Sequence, residues 1–181
     1  NTTGTSNTAV GAYALDAATT ADSNTAVGRS ALTATTTGNT NVAIGDYALS
    51  SSTTADKNVA VGSNAMASLS ADGDSHNVAL GFRAAQNSTT AVQFTALGSD
   101  TLTAQTTANY NVAIGYLSGS ALTTGGQNTS VGRASLSANV TGGSNTVMGY
   151  NAYRLGNDGD NNVAIGVEAL EDNTANQNTA V

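Results

Sequence analysis

A five-residue motif, Asn-[Thr/Val]-Ala-[Val/Ile/Leu]-Gly, returns at near-constant spacing along the whole chain, and this limits the fold more than any other feature. It reads NTAVG from Asn7 and Asn24, NVAIG from Asn41, NVAVG from Asn58 and NVALG from Asn77. It continues as FTALG from Phe94, NVAIG from Asn111, NTSVG from Asn128, NTVMG from Asn145, NVAIG from Asn162 and NTAV from Asn178. Successive motif glycines, from Gly11 to Gly166, are 17 residues apart, except for a step of 19 from Gly62 to Gly81. The two extra residues fall in Asp72-Gly73-Asp74-Ser75-His76, a stretch of turn formers. Ala-Leu commonly follows each glycine, as in Ala14-Leu15 and Ala31-Leu32, and Thr-Thr comes later, as in Thr19-Thr20 and Thr36-Thr37.

The Thr/Val-Ala-Val/Ile stretch is β-branched with period two, so it predicts a short strand. Glycine ends it where the backbone bends or another chain comes close. A helical unit of 17 residues would need two helices and their loops, which the glycine and threonine spacing forbids. The expected fold is therefore all-β: a parallel β-roll or β-solenoid of 17-residue coils, about ten in number, forming one tandem-repeat domain over 1–181. At about 4.8 Å per coil the rod would be roughly 50 Å long. The repeats run to both ends of the sequence, so the chain reads as a fragment of a longer fibrous protein.

The charges test the register. Coils stacked in parallel bring residues 17 apart into contact, and four of the five basic residues have an acid at that distance: Arg29 with Asp46, Lys57 with Asp74, Arg83 with Asp100 and Arg154 with Glu171. The fifth, Arg133, lies between Tyr116 and Tyr150. Charge pairs and a cation–π contact between neighbouring coils are expected. The recurring asparagines, Asn7, Asn24, Asn41 and Asn58 among them, would stack as a hydrogen-bonded amide ladder.

A net charge of -7 and only five basic residues exclude a nucleic-acid backbone as partner. No apolar run is long enough to insert in a bilayer. With no Cys and a single histidine, His76 in the inserted turn, no nucleophile–base pair is in prospect, and the chain does not read as an enzyme or as needing a cofactor. Oxygen-rich turns at Asp72 and Asp74, and at Asp158 and Asp160, are weak calcium candidates without EF-hand spacing. The two positions after each glycine vary most. Tyr13, Tyr47, Phe82, Tyr116, Arg133 and Tyr150 stand there as candidates to bind a host-surface glycan or protein, with packing at a subunit interface as the alternative. Each coil has about five apolar positions in 17, a thin core for a free rod, and the Ala columns (Ala9, Ala26, Ala43 and onward) would let a second backbone approach. Self-association as a homotrimer is expected on that ground.

The N-[TV]-A-[VI]-G-x-x-A-L motif resembles the head repeats of YadA-like trimeric autotransporter adhesins and the repeat shaft of phage tail-fibre proteins, across essentially the whole chain. The resemblance implies a left-handed β-roll, a homotrimer, and an extracellular place on a cell surface or virion in a non-catalytic attachment fibre. A 17-residue unit is longer than the usual adhesin head repeat and closer to the fibre-type arrays. Two other classes remain: a subunit of a self-assembling extracellular filament, and an ice-binding β-solenoid suggested by the threonines. The adjacent Thr-Thr pairs place their side chains on alternate faces, which disfavours the last.

Overall fold

The computed structural model describes residues 2–156 and 158–181 and is an all-β parallel solenoid of about ten turns, with no helix among them. Eleven short strands form one sheet, beginning with Thr8–Val10, Thr25–Val27 and Val42–Ile44 and ending with Val163–Ile165 and Thr179–Ala180. All neighbours pair in parallel and in register, Thr8 with Thr25, Ala43 with Ala60, and Ser130 with Val147. The inserted residues leave that register intact. Val59 pairs with Val78, while Ala55–Asp56 and Gly73–Asp74 form a two-stranded ladder of their own beside the turn.

In each strand triplet the middle residue points inward and its neighbours point outward, as period two requires. Ala26, Ala43, Ala60, Ala79, Ala96 and Ala113 are therefore fully buried, with Ala31, Leu32, Ala48 and Leu49 completing the wall opposite. This corrects one expectation. The Ala column lines the interior, where it lets the two walls of a coil approach one another, and is not open to a second chain. Val10, Ile44, Leu80, Ile114, Met148 and Ile165 are instead the exposed apolar column.

The motif glycines are required twice over. Gly45 has φ +136°, a region open to glycine almost alone, and a Cβ there would stand 2.5 Å from the Gly62 carbonyl oxygen. Three further positions per coil adopt left-handed backbone with ordinary side chains. Tyr47 (φ 56°), Leu49 (φ 50°) and Thr40 (φ 59°) represent them, and the same places recur along the rod. At roughly 1 kcal/mol or more each, these positions persist because inter-coil hydrogen bonds hold them. Tyr47 N–H donates to the Arg29 carbonyl, Leu49 N–H to Ala65 and Thr40 N–H to Asp22. Most backbone hydrogen bonds run between coils, along the rod axis, and a minority close turns within a coil, such as Ala48 N–H to the Gly45 carbonyl.

Candidate functional site

The asparagine ladder forms as the sequence suggested, inside the rod. Asn41 Oδ1 accepts the Asn58 N–H at 3.0 Å and its side-chain amide at 3.1 Å, while Asn41 Nδ2 donates to the Ala55 carbonyl at 2.7 Å. Asn24, Asn41, Asn58, Asn111, Asn128, Asn145 and Asn162 are all buried, so the column closes the coil and is out of reach of a ligand. Phe94, also buried, interrupts it. One coil later Asn111 has no ladder oxygen to meet it, and Gln105, fully buried, offers its own oxygen to Asn111 Nδ2 at 3.1 Å.

All four anticipated charge pairs are present. Arg29 meets Asp46 at 2.9 Å, Lys57 meets Asp74 at 2.7 Å, Arg83 meets Asp100 at 2.7 Å and Arg154 meets Glu171 at 2.6 Å. The hydrogen bond from Lys57 holds the Asp74 carboxyl below its ordinary range. At a solvent-exposed site such a pair stabilises the fold little and acts as a clip between coils.

The six variable-position candidates are all exposed, but the structure brings only three of them together. Arg133 lies between two rings, 5.8 Å from the Tyr116 centroid and 5.4 Å from that of Tyr150, and its Nη1 donates to the Tyr150 hydroxyl at 3.4 Å. Tyr47 carries Arg29 at 4.7 Å and Phe82 carries Arg83 at 4.8 Å, each on its own part of the rod. Tyr13, 67 % exposed, stands apart. The result is a discontinuous ridge of aromatic–arginine contacts without a concave site.

The acidic turns are occupied by structural work. Asp72 accepts the Thr54 hydroxyl, Asp74 pairs with Lys57, and Asp160 Oδ1 accepts the Gly143 N–H. Asp158 Oδ1 accepts the N–H groups of Thr141 and Val140, and the Thr141 contacts lower its pKa. Asn157, in the same turn, lies outside the described residues. No group of three or more metal-ligating side chains occurs among those described. His76 is exposed at φ 53° in the inserted turn. In most of the Thr-Thr pairs the first hydroxyl is already engaged, Thr19 with the Thr36 carbonyl and Thr123 with that of Val140 among them. Outward threonines on the strands alternate with valines, as in Thr25, Val42, Val59 and Thr95, so no unbroken hydroxyl column forms.

Sequence reasoning missed a notch around Tyr110. The signal was available: Gly126 and Gly143 stand two residues before the motif, where most coils carry Asp or Asn. Comparison with protein-family models, curated proteins and solved structures finds no match to this chain. No helix among the described residues is long and apolar enough to cross a membrane.

Proposed function

We propose that the chain is the shaft of a non-catalytic extracellular attachment fibre, wound in left-handed 17-residue coils and associated as a homotrimer. The observation that carries this reading is the outward face of the eleven-stranded sheet. A continuous column of apolar side chains stands in water there, with Val10 58 % and Leu80 50 % exposed. A monomer rarely leaves so long an apolar stripe open, and a second copy of the same rod presents a matching one. The left hand, the number three and the setting on a cell surface or virion come from the resemblance to adhesin heads and tail-fibre shafts. The Tyr116–Arg133–Tyr150 stack stands on the same rod as a contact point for a host-surface glycan or protein.

Sedimentation at micromolar concentration tests the assembly. Three times the 17.8 kDa chain mass is expected, falling to a single chain when Ile44 and Ile114 are both replaced by Asp. A monomer in the unmodified protein overturns the reading. Replacing Tyr116 and Tyr150 by Ala should leave the mass unchanged while weakening attachment.

A further inference from the structure

The outer turn of each coil carries a second ladder besides the asparagine column. Two residues before the motif Asn, most coils place a side-chain oxygen that accepts the backbone N–H of its counterpart in the preceding coil. Asp22 receives the Thr5 N–H, Asn39 that of Asp22, Asp56 that of Asn39 and Asn109 that of Val92. Farther along, Asp160 receives the Gly143 N–H and Asn176 that of Asp160. Positions 126 and 143 belong to this column and are both glycine. The N–H groups of Asn109 and Gly126 are thereby left without an acceptor among the described residues. They are one coil apart, about 4.8 Å, and each points along the axis toward the place where a side-chain oxygen would sit. The missing side chains open a shallow notch of about 570 Å³, bounded by Tyr110, Gln127, Ser144 and Asp160.

The chemistry of the notch selects its occupant. Each of the two parallel N–H donors calls for an acceptor oxygen of its own, and a carbonyl-type oxygen suits either. A full negative charge is disfavoured, because the Asp160 carboxylate closes one end and the chain carries -7 overall. Tyr110, 55 % exposed, offers a ring on which a flat apolar face can rest. Gln127 and Ser144 supply hydrogen-bonding groups beside it.

We propose that this notch binds an N-acetylated amino sugar. Its acetamido carbonyl takes the place of the absent Asx oxygen on the Gly126 N–H, a ring hydroxyl beside it accepts the Asn109 N–H, and its pyranose face lies on Tyr110. An acetamido group is, in effect, the carboxamide of the missing Asn carried by the sugar. The proposal rests on the attachment reading only for its biological use.

The test is a titration of the full chain with N-acetylglucosamine, followed by the amide NMR signals of Asn109 and Gly126. Both signals should move to saturation with this sugar and stay in place with glucose or acetate. Gly143→Asn restores the ladder oxygen and should abolish the response. Its Cβ would stand 2.9 Å from the Gly126 carbonyl oxygen, so the backbone there must shift toward the form it takes where other coils carry Asn109 and Asp160 in this column. Tyr110→Ala, a surface change, should weaken binding about tenfold, equivalent to about 1.4 kcal/mol. Amides unmoved by the sugar overturn the proposal, as do equal responses to glucose or acetate, or binding that survives either substitution. Sedimentation reads the shaft and this titration reads the notch, so each can fail without the other.

Discussion

The rod has two interiors. From Leu15 to Leu122 the buried apolar side chains form one continuous cluster, Ala and Leu apart from Met66 and Phe94, closed for most of its length by asparagines. From Leu136 to Ala164 a second, smaller cluster holds Val147, Ala152 and a fully buried Tyr153. Between them the Ala positions are taken by Ser118, Ser130 and Ser135. Their hydroxyls bond mutually at 2.6, 2.7 and 3.1 Å, with further bonds to the Ser130, Ser135 and Gly132 carbonyls. In the second region the Tyr153 ring occupies space that Gly156 and Gly159 leave open, and its hydroxyl accepts from Asn162 at 3.2 Å. Burial there pushes the phenol pKa up. The backbone coil is the same in both regions and tolerates either filling, and the three serine hydroxyls of the boundary are all partnered.

The largest effect should come from the glycine corner, where the two ends of the rod differ in a controlled way. Gly45→Ala combines a forbidden φ with a clash against Gly62, and should cost roughly 4 kcal/mol or more, enough to unfold the central coils. Gly166 has nearly the same φ, +130°, but only the Ala169 Cβ within 4 Å. Gly166→Ala should therefore cost about 1–3 kcal/mol, the strain alone. Urea melts of both variants check this, and equal losses would show that close packing between coils contributes little.

The serine boundary gives a smaller and more diagnostic effect. Ser135→Ala strips a hydrogen-bond partner from both Ser118 and Ser130 and should cost about 1 kcal/mol. Replacing all three serines by Ala restores the residue of the other coils and joins the two apolar clusters. That triple variant should be as stable as the parent, or more so, because no orphaned hydroxyl remains. A triple variant that loses the sum of three single costs would show that the polar layer is needed for its own sake.

The smallest effect concerns Asp158. Its folded pKa lies below the ordinary carboxylate value, so its contribution is present above about pH 3.9 and is lost as the pH falls through the lowered value. Asp158→Asn should flatten the acid limb of a plot of melting temperature against pH, with a slightly lower melting temperature near neutrality that converges on the parent's at low pH.

Much of this architecture could be read from the sequence. Motif spacing predicted parallel strands in register, and the acid-after-base spacing located all four ion pairs and the Tyr116–Arg133–Tyr150 stack. These were legible because a solenoid turns a fixed sequence interval into a fixed contact. The direction of the Ala column was misjudged: small size does not say which face of a three-residue strand is inside. The left-handed positions at Tyr47, Leu49 and Thr40 were invisible, since Tyr, Leu and Thr carry no local preference for that conformation and hold it through bonds to the next coil. The Tyr110 notch escaped because its signal is an absence, two glycines in a column whose role only the hydrogen bonds disclose.

The axis-parallel hydrogen bonds also determine how such a rod bears load. A pull along its length falls on one coil's bonds at a time, so the end coil peels away while the rest stay wound. Each release frees 17 residues, the interval between paired Thr8 and Thr25, and pays out roughly 50 Å of slack. Under tension the rod should therefore lengthen in increments of one repeat.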